Sequence, residues 1–215
     1  MSKTESKEQE PSASKSTVAI LYSKGGLGDV GRHAILAALE RDDVGAIKVF
    51  TQHPEMIQEY DQKKNWNCGC PEKHVLTKEQ LEKIEIITVG EHWKVKDLSP
   101  HFEGVTAVVS CLGNRQMFVG DRVAGDGTKV LVACMGAKNV KRVVGMTSVC
   151  IGDDIPGIEW HFAGKIMTTL FRTVSRREAV DLRRAEVAYQ DSDLDYLLIR
   201  PMGLGEDVKP KNEWF

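Results

Sequence analysis

The 215-residue sequence predicts an α/β chain folded as a doubly wound parallel sheet flanked by helices. Three observations carry this expectation. Short runs rich in Val and Ile, apolar on both faces, recur at residues 18–22, 46–50, 84–89, 105–110, 142–147 and 196–201; strands of a parallel sheet read this way because helices cover both sides. Helical patterns separate most of these runs, so the order strand, helix, strand repeats along the chain. The first run also enters the first helical pattern through Lys24-Gly-Gly-Leu-Gly-Asp-Val-Gly31, a turn crowded with glycine.

Taken in order, residues 1–16 are rich in Lys, Glu and Ser, lack an apolar stretch, and are expected as a disordered tail. The run 18–22 is the first strand, and Val30, Ala34, Ile35, Ala38 and Leu39 follow at helical spacing. Between them, Gly26, Gly28 and Gly31 fit G-x-G-x-x-G, while Gly25, Gly28 and Gly31 fit G-x-x-G-x-x-G. Glycine is required here for steric reasons: the first takes a tight turn, Gly28 has no Cβ to hold a phosphate away from the main chain, and Gly31 lets the helix approach the strand. Amides at the start of the helix then point at an anion, which the helix dipole favours.

After the strand at 46–50, residues 52–80 turn polar and lead into Asn67-Cys-Gly-Cys-Pro71, an insertion or long loop before a short helix. Cys68 and Cys70, with His53 and His74, are too crowded a pair for a structural zinc, and no metal site is expected. A helix over 122–137 places Val123, Gly127, Val130, Leu131 and Cys134 on one stripe. Phe162, Ile166 and Leu170 mark an amphipathic helix that begins beside His161, and a further helix covers 175–190. In that last helix Arg176, Arg177, Arg183 and Arg184 are balanced by Glu178, Asp181 and Glu186, and the run reads as a wet face. Pro201 stops the sixth strand, and a short polar end follows Glu206.

A net charge of −2 leaves no basic face to grip nucleic acid or an anionic membrane, so neither is expected as a partner, and a small-molecule substrate is. No run is long enough to span a bilayer and the amino end has no secretory pattern, which predicts a cytoplasmic protein. Of the five cysteines, Cys111, Cys134 and Cys150 lie in apolar contexts where a reduced thiol packs as a small hydrophobe.

The glycine turn, Val108-Val-Ser-Cys-Leu-Gly-Asn-Arg115, the stretch from Gly127 through Met146-Thr-Ser148, and Leu194-Asp-Tyr-Leu-Leu-Ile-Arg-Pro201 together resemble the atypical short-chain dehydrogenases with an NAD(P)H-binding, NmrA-like domain, the group of the biliverdin and flavin reductases. The resemblance covers roughly residues 17–205 without the insertion, and it implies a Rossmann-like fold with residues 17–215 as a single NAD(P)-binding domain. It implies that Gly25, Gly26, Leu27, Gly28, Asp29, Val30 and Gly31 hold the pyrophosphate. Leu112, Gly113, Asn114 and Arg115 would line the adenosine and the nicotinamide ribose. Thr147 and Ser148 would face the nicotinamide, with Ser148 as the catalytic candidate, and Pro201 and Met202 would wall the pocket after the sixth strand. Each position falls at the carboxyl end of an expected strand, where open α/β sheets bind ligands.

The departures are informative. Members that prefer NADP carry an arginine just past the second strand, whereas this chain has Thr51, Gln52 and His53, and no acid for the NAD manner either. The cofactor is read as NADP or NAD, with NADP slightly preferred because Lys24, Arg32 and Arg115 bring positive charge. An Asp29 carboxylate about 6 Å from a pyrophosphate charge costs about 2–3 kcal/mol at an effective dielectric near 20, so it must face away. The family's Tyr-x-x-x-Lys pair is missing, and His161-Phe-Ala-Gly-Lys165 has its spacing alone. The activity this implies is hydride transfer from NAD(P)H to a small conjugated acceptor such as a flavin, quinone or tetrapyrrole. The alternative is a non-catalytic NAD(P)-binding redox sensor or assembly protein with a protein partner; a sugar-nucleotide epimerase fits less well for want of a long substrate segment.

Overall fold

Six strands form one all-parallel sheet in the order β3-β2-β1-β4-β5-β6 in the computed structural model, which describes residues 15–22, 28–52, 54, 57, 76–90, 93–113, 123–152, 157 and 160–201. The strands are β1 (Ser16–Tyr22), β2 (Val44–Thr51), β3 (Ile84–Thr88), β4 (Ala107–Cys111), β5 (Arg142–Met146) and β6 (Asp195–Ile199). All six expected strands are present, with ends that differ by at most two residues. Helix α1 (Gly28–Leu39) follows β1, α2 (Lys78–Leu81) precedes β3, and α3 (Val95–Leu98) with a 3-10 turn (Ser99–Phe102) precedes β4. Helix α4 (Val123–Ala137) joins β4 to β5, and α5 (Phe162–Val174) and α6 (Arg176–Gln190) lie between β5 and β6.

Side chains alternate across each strand, so the sheet has two dry faces. Ala19, Leu21, Phe50, Val108 and Val143 meet Leu131, Cys134, Met135 and Tyr189 of α4 and α6 on one side. Ile20, Ile47, Val49 and Ile84 meet Ile35 of α1 on the other. The expected tail lies outside the described residues through position 14, and Ser16 already pairs with Val44 in β1. Most of the polar segment 52–80 also lies outside them, but Ile57 and Leu76 are buried in the face that holds α1.

Local chemistry sets the element ends. Thr77 caps α2 by a reciprocal pair: its hydroxyl accepts from the Gln80 amide at 3.2 Å and the Gln80 side chain accepts from the Thr77 amide at 2.8 Å. Asn139, in the left-handed region at φ 55°, ends α4, and the Val140 amide donates back to the Met135 carbonyl at 2.9 Å. That turn sends the chain into β5 within three residues.

Close packing between β5 and α6 depends on Gly145, where an added Cβ would sit 2.9 Å from Tyr189 Cε2 and 3.1 Å from Leu198 Cδ2. Tyr189 is 1% exposed and fixed against the sheet, so it has little room to yield. Gly145→Ala is expected to destabilise the protein by about 1–3 kcal/mol, read as a lower midpoint in urea unfolding with the slope unchanged.

Candidate functional site

The strand register puts Ile87, Phe50, Leu21, Ser110, Gly145 and Leu198 in one row across all six strands. The residues just beyond this row form the carboxyl edge of the sheet, and the order reverses there between β1 and β4, leaving the crevice in which such sheets bind ligands. Of the expected site residues, Gly28, Asp29, Val30 and Gly31 form the first turn of α1 at this edge. Leu112 and Gly113 follow β4, Thr147 and Ser148 follow β5, and Pro201 follows β6, so the fold gathers all of these on one edge. Gly25, Gly26, Leu27, Asn114, Arg115 and Met202 lie outside the described residues.

Their surroundings differ in what they offer a ligand. An added Cβ at Gly113 would meet nothing within 4 Å, so the main chain there faces open space. Leu112 is 3% exposed and presses on Gly127, whose own Cβ would sit 3.1 Å from Leu112 Cδ1; it brings only its backbone to the crevice. Gln52 donates from Nε2 to the Gly90 carbonyl at 3.2 Å, tying β2 to the loop after β3. Arg32, one of the cations weighed for a phosphate, is buried within α1. β1 ends at Tyr22 and α1 begins at Gly28, and small residues border the edge at Gly28, Gly31 and Gly113. These features fit a dinucleotide laid along main-chain amides.

The electrostatic centre of the edge is a carboxylate that the charge run concealed. Glu186 on α6 is fully buried. Its Oε1 accepts from the Thr147 hydroxyl at 2.9 Å and from Arg200 Nε at 2.7 Å. Its Oε2 accepts from Arg200 Nη2 at 3.0 Å and Arg183 Nη1 at 3.2 Å. The ends of β5 and β6 are thereby fastened to one acid, and the Thr147 amide adds a bond to the Ile199 carbonyl at 2.9 Å. The Thr147 hydroxyl is therefore taken up by Glu186, and Ser148 is the half-buried hydroxyl of the pair. Past it, the turn carries buried Cys150 at φ 66°, a costly backbone for a residue with a Cβ, and Gly152, whose Cβ would sit 2.7 Å from Glu186 Oε2.

Asp181 has a similar role, a little over one helical turn earlier. Its carboxylate accepts from the amides of Ala124 at 2.8 Å and Gly125 at 3.0 Å, closing the first turn of α4. Burial pushes this carboxyl above its ordinary pKa, opposed by those two amide bonds and by Arg184. The expectation that Asp181 and Glu186 belong to a wet face is thus corrected: both are buried, and Arg183 and Arg184 turn in to meet them. The signal that could have found Glu186 was its place on the buried stripe Leu182, Ala185, Glu186, Tyr189, an acid at an apolar position.

Nucleophilic chemistry finds no support among the described thiols. Burial pushes Cys111, beside the crevice, up to about 12 and Cys134 up to about 11, so both stay neutral. His161 and Lys165 are both exposed at the start of α5. Among the described residues no cluster could hold a metal ion, and no helix is long and apolar enough to cross a membrane.

A family model for NAD(P)H-binding domains matches residues 72–214, about two thirds of the chain, and the chain belongs to this family. The match begins after β2, so the glycine turn supplies an independent argument. No curated protein matches the chain by sequence. Solved structures share the fold. The oxidoreductase ylbE from Lactococcus lactis is similar at a TM-score of 0.56 and 16% identity, over 89% of this chain and 72% of that one. A wide-type short-chain dehydrogenase/reductase from Veillonella parvula, in complex with NADP, gives 0.52 and 16% over 86% and 68%. The anaerobillin reductase ChuY from Escherichia coli O157:H7 gives 0.52 and 18% over 86% and 72%.

Truncating the buried acids should be costly in proportion to what they leave behind. Glu186→Leu strands two guanidinium groups and is expected to cost about 3–5 kcal/mol, whereas Asp181→Ala, which frees two amides at a helix end, is expected to cost about 1–3 kcal/mol. Urea unfolding of the two variants checks the ranking.

Proposed function

We propose that this member of the NAD(P)H-binding family is an oxidoreductase of the atypical short-chain class, passing a hydride from NADPH or NADH to a small conjugated acceptor of flavin, quinone or tetrapyrrole type. The observation that carries the reading is the coincidence of the first turn of α1, with Gly28 and Gly31 of the glycine pattern, Gly113 and Ser148 on one edge of a sheet whose order reverses there. The bound nicotinamide supplies the hydride; the protein's task is to bind, orient and exclude water.

In this reading the amides of residues 25–31 hold the pyrophosphate, with the positive end of α1 behind them. The Asp29 backbone lies in the first turn of α1, where a carboxylate facing away from the ligand stabilises the helix. The residues after β4, Leu112, Gly113, Asn114 and Arg115, border the nucleoside, and Gln52 stands where a 2′-phosphate or ribose hydroxyl would be read. Ser148 orients the reactive ring by donating its hydroxyl proton, and Glu186 keeps the neighbouring Thr147 and Arg200 in register. Pro201 and Met202 close the far wall with apolar surface. Hydride transfer to a conjugated acceptor does not require a strongly tuned acid, which agrees with the missing Tyr-x-x-x-Lys pair. Lys24 and Arg115 weigh the cofactor slightly towards NADP.

A second reading, an NAD(P)-binding sensor or assembly protein without turnover, is favoured by one observation: the buried Glu186 spends both its oxygens on Thr147, Arg183 and Arg200. Parallel titrations with NADH and NADPH, followed by cofactor oxidation against flavin, quinone and tetrapyrrole acceptors, separate the two. The oxidoreductase reading expects binding and turnover with at least one acceptor. Gly28→Val is expected to weaken cofactor binding about tenfold or more at unchanged stability, and Ser148→Ala to slow turnover about tenfold or more at unchanged cofactor affinity. Binding without turnover supports the sensor, and absence of binding to either cofactor contradicts both readings.

A further inference from the structure

One surface is left unexplained by the crevice. On α5 the buried and the apolar residues fall on opposite sides of the helix. Gly164 and Thr168, four residues apart on one side, turn inward, with Thr168 at 0% exposure. Phe162, Ile166, Leu170 and Val174, each four residues apart, run along the outer side at 79%, 54%, 58% and 47%. Met167 lies beside them at 44%, and Trp160, just before the helix, is 84% exposed. Exposed hydrophobic residues are ordinary when scattered, but a continuous stripe over a whole helix marks an interaction surface.

The charges around the stripe say what covers it. Residues 160–177 contain no Asp or Glu, while Lys165, Arg172, Arg176 and Arg177 are all exposed. Lys165 and Arg172, seven residues apart, follow one flank of the stripe, and Arg176 and Arg177 open α6 just past its end. The net charge of −2 for the whole chain conceals this local segregation. At the border of the stripe the Thr173 hydroxyl donates to the helix's own carbonyls, Thr169 at 2.8 Å and Leu170 at 3.1 Å, so it carries no unmet donor into an apolar medium.

We infer that α5 is an in-plane docking helix for an anionic lipid surface: its outer stripe and Trp160 enter the boundary between headgroups and acyl chains, and its basic flank meets lipid phosphates. An amphipathic helix with aromatic and aliphatic residues on one face and Lys and Arg beside them lies in this way along a membrane. At 13 residues α5 is about 20 Å long, enough to lie along the surface and too short to cross it. A second copy of the chain is the poorer occupant. An antiparallel two-fold pairing of the stripes would set two identical basic flanks side by side with no acid between residues 160 and 177 to oppose them. The inference holds whether or not the crevice binds a nucleotide.

Flotation of the full chain with vesicles tests it, using phosphatidylcholine alone and phosphatidylcholine containing about one third phosphatidylglycerol. The protein is expected to float with the anionic vesicles, to stay behind with the neutral ones, and to be released by high salt. Phe162→Glu with Leu170→Glu is expected to cut flotation about tenfold or more, and Lys165→Glu with Arg176→Glu and Arg177→Glu to do the same. Both sets alter exposed side chains, so wild-type thermal melting should accompany the loss. Failure to float with anionic vesicles overturns the inference, as does equal flotation on neutral vesicles or undiminished flotation of either variant. A wild-type dimer in sedimentation that the Phe162 and Leu170 changes make monomeric, without lipid binding, overturns it in favour of a second copy.

Discussion

The structure depends on one constraint: the six strands run in the same direction, and the chain leaves β1 towards β2 and β3 before returning to β4 on the other side. Parallel pairing forces each connection to recross the sheet, so every functional turn lands at the same edge. Reversal of the order at β1 means that the connections after β1 and β4 depart to opposite faces, and a crevice opens where neither covers the edge. The first turn of α1, with Gly28 and Gly31, is placed at this opening by topology alone: the helix begins within six residues of the end of the central strand.

The half of the sheet beyond β4 is held by a second device. Helix α6 carries two buried carboxylates, one closing the first turn of α4 and the other joining Thr147 at the end of β5 to Arg200 at the end of β6. Desolvating such groups is expensive, and an apolar substitute of equal shape could be as stable. What the carboxylates contribute is direction: Glu186 has two oxygens engaged by three donor residues, and that geometry admits one arrangement of the β5 and β6 ends. Ser148 and Pro201 inherit their positions from it. The left-handed Cys150 and the tight approach at Gly152 belong to the same turn, where strain is held by the burial around it.

Much of the fold was legible in the sequence, because strands that are apolar on both faces and helices with a single stripe leave distinct periods. The six runs and the order of the helices between them follow from that pattern. Charge was harder to read. Asp181 and Glu186 sit among four arginines, and composition alone describes such a run as wet; only their phase on the stripe of Leu182, Ala185 and Tyr189 separates the buried acids from the exposed ones. Helix α5 shows the complementary limit. Periodicity announces two faces but does not say which meets the sheet, and here Gly164 and Thr168 turn inward while Phe162 and Ile166 face out. In the candidate site, spacing marked the strand ends, yet it did not reveal that Leu112 serves the core or that Gln52 bonds to Gly90, since both depend on contacts between segments far apart in the chain.

The central claim is that a dinucleotide lies along the carboxyl edge of the sheet across the order reversal. Backbone amide NMR of the isotopically labelled protein, titrated with NADPH and with NADH, addresses it residue by residue. The account predicts shifts concentrated at Gly28, Asp29, Val30, Gly31, Gly113, Thr147 and Ser148, with the opposite edge of the sheet unmoved. Shifts confined to the amino edge of the sheet, or no shift with either cofactor, would contradict it.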